Sequence, residues 1–185
     1  MSLWLAGSQC SNYGFIIIMT ITSSQVDFES SKVIVQRFKT LYQNLDVTKD
    51  ACAQIQSDKL SLAQVYSDNI EFKDPLHSIH GLSSLRRYMN NMYGNVISCH
   101  FIYLGEWITE RDANGKGSAC IKWDMIFQHP KLAGGAPVTV RGMSHIRFSD
   151  RIDYHEDIFD LGTMLYEHVP LVGRVVLWLK SRLGL

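Results

Sequence analysis

The chain has no excess of either charge: 18 lysines and arginines are matched by 18 aspartates and glutamates across 185 residues. A nucleic-acid footprint needs a basic surplus or stripe, so nucleic acid is not an expected partner. Cysteine is sparse as well. Cys10, Cys52, Cys99 and Cys120 lie far apart with no C-x-x-C step, which excludes zinc-site and disulfide-framework spacings and fits reduced thiols in a cytoplasmic protein. No apolar run reaches the roughly 20 residues of a membrane span. Residues 1–18 carry no charged side chain, so they lack the basic region of a secretory signal. The P-loop, G-x-G-x-x-G, G-x-S-x-G and H-E-x-x-H signatures are missing, and with them the nucleotide and serine-hydrolase readings.

What is there reads as one domain with a real core, 46% of the residues being hydrophobic. Residues 1–26 are expected to be an unstructured or non-native leader, with Met19 as the natural start. Residues 27–162 form the domain and 163–185 a helical extension. Helical spacing predicts Asp27–Leu45, with Ile34, Phe38, Leu41, Tyr42 and Leu45 on one face, a short helix over Lys59–Tyr66, and a third over Gly81–Tyr93. Between the last two, Ile70 and Phe72 alternate with polar residues in a short strand that ends at Asp74-Pro75, and His77–His80 is expected to be a loop. From Asn95 the period changes to two. Ile97, Cys99, Phe101, Tyr103 and Trp107 share a face in the next strand, and Ala119, Ile121, Trp123, Met125 and Phe127 in the one after it. A last helix is expected over Pro170–Leu183.

The stretch 137–161 carries most of the candidate chemistry. A tight turn at Ser149–Arg151 joins two strands, pairing Phe148 with Ile152, Ile146 with Tyr154, Arg147 with Asp153, His145 with His155 and Met143 with Asp157. Strict alternation then places Ile152, Tyr154, Glu156 and Ile158 on the core face. Glu156 is the inward carboxylate in that register. A bulge would bring His155 and Asp157 inward instead. In a third arrangement His145, His155 and Asp157 stay on the outer face.

Helices ahead of an antiparallel meander must cover one of its faces, which makes the fold α+β. The order of elements and two local patterns resemble the SnoaL-like (polyketide-cyclase-like) group of the nuclear-transport-factor-2-like superfamily. The patterns are Leu62–Gly81, LAQVYSDNIEFKDPLHSIHG, and Arg147–Asp157, RFSDRIDYHED. The resemblance spans residues 27–161. It implies a cone-shaped fold, a curved antiparallel sheet wrapped on three N-terminal helices, with a ligand cavity at its open end and a homodimer formed sheet to sheet. It also implies cofactor-free isomerase, cyclase or dehydratase chemistry on an apolar carbonyl compound, with Asp157 as the acid/base group and His155 beside it. Glu156 stands where the group commonly has an aromatic residue, and the C-terminal helix is additional.

The remaining candidates are binding residues. Asp74 suits a cavity rim, Trp107, Trp123 and Met125 an apolar wall, and Tyr42 and Tyr88 can offer hydroxyls. His77, His80 and Asp74 lack a further ligand at metal spacing, so no metal is expected. The tail Val172–Leu183 holds Arg174, Lys180 and Arg182 without an acid, a pattern shared by membrane-surface helices, cavity caps and subunit contacts. A ligand-binding or dimerisation module without catalysis is the competing class.

Overall fold

The computed structural model describes residues 23–44, 60–109, 111–169 and 171–183. Helix α1, Ser23–Gln43, starts four residues before the expected Asp27. Ile34, Val35, Phe38, Leu41 and Tyr42 are its buried stripe. The expectations for residues 1–22, for Leu45, and for Cys10 and Cys52 lie outside the described residues.

Helix α2 (Leu62–Val65) runs directly into β1 (Tyr66–Lys73), and helix α3 occupies Leu82–Tyr93. The segment expected as a loop contains a strand, β2 (Ser78–His80), paired antiparallel with β1. Asp74 makes that hairpin: its Oδ1 accepts the backbone N–H groups of Leu76 and His77, each at 2.7 Å. Strands β3 (Ser98–Ile108), β4 (Gly117–Gln128), β5 (Val138–Phe148) and β6 (Ile152–Phe159) follow. Among the described residues the sheet has six strands in the order β2-β1-β6-β5-β4-β3. Only the β1–β6 pairing is parallel.

Alternation holds without a break along β4, where Gly117, Ala119, Ile121, Trp123, Met125 and Phe127 are buried in turn. Hydrophobic burial therefore fixes which way that strand faces. Two neighbours depart from it. In β3 the pairing steps from Tyr103↔Trp123 to Gly105↔Lys122, so Leu104 is an extra residue. Beyond it the faces exchange. Glu106 turns toward α1 and meets Lys39 at 3.0 Å, while Trp107 turns outward and is 60% exposed. In β6 the pairing steps from Phe148↔Ile152 to Arg147↔Tyr154, so Asp153 is extra.

The expected Phe148–Ile152 pair is present, but the register beyond it is corrected by one residue. Ile146 faces His155, and Ser144 faces Asp157. A bulge moves every later side chain to the other face, so Tyr154, Glu156 and Ile158 lie outside and His155 and Asp157 inside.

The inner face of the sheet has two parts. Under α1, α2 and α3 it is solid, with Ile70, Ile121, Ile146 and Ile152 fully buried. Toward the ends of β4 and β5, Trp123, Met125, Phe127 and Val140 form a second apolar cluster. There the core opens into a cavity. After β6 come helix α4 (Leu161–Met164), a 3-10 turn (Tyr166–His168) and helix α5 (Val172–Arg182). α5 rests on that turn through Gly173, its one buried residue.

Candidate functional site

The cavity holds about 340 Å³ and is walled by the β1–β2 turn, α3, parts of β3, β4 and β6, and α4. Its lining is mostly apolar. Asp157 lies on its wall, with a carboxylate 19% exposed.

Among the described residues, both hydrogen-bond contacts of that carboxylate fall on one oxygen. Oδ1 accepts from Ser144 Oγ at 2.5 Å and lies 2.9 Å from His155 Nε2. Oδ2 has no hydrogen-bond partner among the described residues. Ser144 in turn accepts from Trp123 Nε1 at 2.9 Å. The Trp123 ring lies across Gly142, where a methyl group would stand 2.6 Å from Cζ2 and 2.7 Å from Cζ3. The glycine within the strand is thus where the indole crosses to reach Ser144.

His155 is fully buried and does not reach the cavity. Phe38 and Phe72 meet its ring edge-on at 5.1 and 5.0 Å. Its Nδ1 lies 3.0 Å from Tyr66 Oη, which lies 3.0 Å from Tyr42 Oη. For an ionised Asp157, one proton arrangement satisfies every atom. Tyr42 donates to Tyr66, Tyr66 donates to Nδ1, and Nε2–H donates to the carboxylate. Burial, reinforced by the charge of Asp157, pushes both tyrosines well above the ordinary phenol value, so they remain donors.

A second carboxylate borders the same cavity. Asp74 accepts from Tyr88 Oη, from the backbone of Leu76 and His77, and meets the His77 ring at 3.1 Å. Burial works against its charge, but these hydrogen bonds outweigh it and hold the carboxyl below its usual value. Burial and Asp74 together raise Tyr88. Tyr93 also lines the cavity, and its hydroxyl has no hydrogen-bond partner among the described residues. Burial raises it well above the phenol range, so it stays protonated. Burial pushes the Cys99 thiol, another wall group, up to about 12, which leaves it a poor nucleophile.

The expected site residues therefore fall into three places. Asp157, Asp74, Trp123, Met125 and Tyr88 line the cavity. His155 and Tyr42 stand behind it in the hydrogen-bond chain. Glu156 and Trp107 face away, and Glu156 takes a bond from Tyr154 Oη at 2.8 Å on the outer surface. Both were turned there by the two bulges. Among the described residues no group of three or more His, Cys, Asp or Glu is arranged for a metal ion. Sequence reasoning passed over Ser144, Tyr66 and Tyr93. Ser144 did leave a signal, as a hydroxyl within an otherwise apolar face; Tyr93 left none.

The sequence profile of the SnoaL-like domain matches residues 53–155. The chain belongs to the SnoaL-like domain family. Its fold is that of the nuclear-transport-factor-2-like superfamily. A protein described as a SnoaL-like polyketide cyclase from Jannaschia superposes with a TM-score of 0.57 at 8% identity, covering 73% of this chain and 90% of that one. A nuclear-transport-factor-2-like superfamily protein from Salmonella enterica gives 0.54 at 13% identity, covering 75% and 93%. A protein of ketosteroid isomerase-like fold from Catenulispora acidiphila, determined in complex with trimethylamine, gives 0.51 at 11% identity, covering 71% and 88%. At such identities the likeness is one of fold. No curated protein matches the sequence.

Proposed function

We propose that this SnoaL-like chain is a small-molecule pocket protein that carries out cofactor-free acid/base chemistry, such as isomerisation, aldol cyclisation or dehydration, on an apolar carbonyl compound. The observation that carries this reading is the Asp157 carboxylate on an apolar cavity wall, with Oδ1 held by Ser144 and His155 and no hydrogen bond to Oδ2 among the described residues. A carboxylate fixed through one oxygen presents the other in a set direction, which is what proton abstraction from carbon needs.

In this scheme Oδ2 takes the proton next to the carbonyl and the C–H electron pair moves into an enolate. The Tyr93 hydroxyl, unpaired and protonated, donates to the enolate oxygen. Asp157 then returns the proton to another carbon, giving isomerisation, or to a departing hydroxyl, giving dehydration. His155 is a positioning residue here and not a partner of the enolate, since both of its ring nitrogens are occupied.

The test is deuterium incorporation. Cyclic and aromatic ketones that raise the melting temperature are incubated with the protein in D₂O and followed by NMR. Exchange at the α-carbon that disappears in Asp157→Asn, with binding retained, supports the reading. Exchange that survives the substitution removes Asp157 as the base.

A second reading rests on the outer face of the sheet, where Ile102, Leu104, Trp107 and Ile158 are exposed. A homodimer through this face would cover them, and the pocket would then belong to a binding or dimerisation module. Sedimentation across a concentration series decides between monomer and dimer. No described helix is long and apolar enough to cross a membrane. Leu171, Val175, Trp178 and Leu179 are exposed on or beside α5, and co-sedimentation with liposomes, full-length chain against a chain ending at His168, tests surface association. A cytoplasmic location accompanies the enzyme reading.

A further inference from the structure

We propose that the cavity is built for a ligand carrying an organic ammonium group, its nitrogen alkylated and its remainder apolar. This rests on the reading above that the cavity binds a small molecule, and it narrows the class of molecule.

The charge lining the cavity is one-sided. Of its twenty described wall residues, Asp74 and Asp157 are carboxylates, His129 is the one histidine, and none is lysine or arginine. Over the whole chain acids and bases are equal in number, so the asymmetry is local to the cavity. Among the described residues neither carboxylate pairs with a lysine or arginine; the ion-pair partners are His77 for Asp74 and His155 for Asp157. An anionic ligand would enter a field of its own sign, and a neutral one would gain nothing from it.

The walls favour a cation of a particular kind. Tyr88, Tyr93, Phe101, Trp123, Phe127 and Phe159 all contribute rings. Phe101 and Trp123 meet at 80° with centroids 5.5 Å apart, and Trp123 and Phe159 are 6.3 Å apart, so the rings present surfaces of different orientation to the space between them. Aromatic faces attract cations by their quadrupole, and alkylated ammonium groups gain most because little hydration is lost on entry. A small hydrated metal cation would lose far more in such an apolar setting.

The two carboxylates differ in what they offer. Tyr88, Leu76 and His77 already fill the oxygens of Asp74. It can attract a positive charge but has no vacancy for a further donor, and this suits a fully alkylated nitrogen, which donates no hydrogen bond. Asp157 keeps Oδ2 for the reacting part of the molecule.

The test uses three probes of one shape and different charge: benzyltrimethylammonium, its carbon isostere neopentylbenzene, and phenylmethanesulfonate. Each is titrated into the full-length protein and followed by tryptophan fluorescence. The cation is expected to bind about tenfold more tightly than the isostere, corresponding to a cation–π and field advantage of roughly 1.4 kcal/mol, and the sulfonate not to bind. Asp74→Asn should shrink the gap between cation and isostere while leaving the isostere's affinity unchanged. If that variant fails to fold, Phe101→Leu tests the same point by weakening the cation more than the isostere. Equal or tighter binding of neopentylbenzene overturns the ammonium assignment and leaves the pocket reading standing. Absence of binding by all three overturns both.

Discussion

His155 Nε2 lies 2.9 Å from Asp157 Oδ1, two residues further along β6 on the same face of the sheet. The pair joins the core to the cavity. His155 is fully buried among Phe38, Phe72 and Tyr66, whereas Asp157 is on the wall. The orientation of the carboxylate is therefore set by the most tightly packed part of the molecule and not by a loop.

Replacing His155 by phenylalanine keeps the ring volume and removes both hydrogen bonds. Tyr66 loses a buried acceptor and Asp157 a donor. A loss of about 2–4 kcal/mol is expected, from the cost of leaving buried polar groups unpaired. Urea denaturation measures it. A change below about 0.5 kcal/mol would show that the chain from Tyr42 to Asp157 contributes nothing to stability.

Gly142→Ala puts a methyl group where the Trp123 ring lies. The indole must move, and with it the Nε1–H bond to Ser144. Overpacking of this kind costs about 1–3 kcal/mol, and the tryptophan emission should shift. Asp157-dependent exchange should fall in parallel, because Ser144 loses its donor. An unchanged emission spectrum together with full activity would contradict this placement of Trp123.

Trp107 and Trp123 were expected to share a wall, and the bulge at Leu104 separates them. Trp107→Ala should change stability by less than about 0.5 kcal/mol and leave ligand affinity intact, as at an ordinary exposed position. Trp123→Ala should cost about 3–5 kcal/mol. If Trp107→Ala lowers stability only at high protein concentration, the outer face is a subunit contact.

Asp160 carries the pH dependence of the C-terminal helix. Its carboxylate receives Lys180 Nζ at 2.5 Å, Thr163 Oγ1 at 2.9 Å and the Gly162 N–H at 2.7 Å. The Lys180 bond foremost, with those of Thr163 and Gly162, overrides a small burial penalty and holds the carboxyl down to about 2. A depressed folded value stabilises above the ordinary aspartate range near ~4, and the contribution is lost as pH falls through about 2. The side chain is 52% exposed, so the effect is small and confined to α5. NMR shifts of the α5 amides should change between about pH 4 and 2, and Asp160→Asn should abolish that step. A transition shared by the whole protein would argue against a local tether.

Much of the scaffold can be read from residue pattern. The buried stripe of α1, the unbroken alternation of β4 and the inner face of β5 each follow from where apolar side chains recur in one segment. The fold family was legible too, through Leu62–Gly81 and Arg147–Asp157. The site was legible only as a set of alternatives. Glu156 was the inward carboxylate by alternation, and Asp157 only if a bulge intervened.

That alternative could not be closed by periodicity, because a bulge belongs to two strands at once. The extra residue at Asp153 exists only relative to β5, and β6 is held on its other side by the parallel strand β1, whose own pairing shifts between Tyr66 and Glu71. The amino-acid order thus determined which segments are strands and which side of each would be buried up to the first irregularity. Pairing of one strand with another, β3 with β4 and β6 with both β5 and the distant β1, settled which side chains lie beyond it. One added residue reverses every later position, and this is why Asp157 faces the cavity and Trp107 faces away.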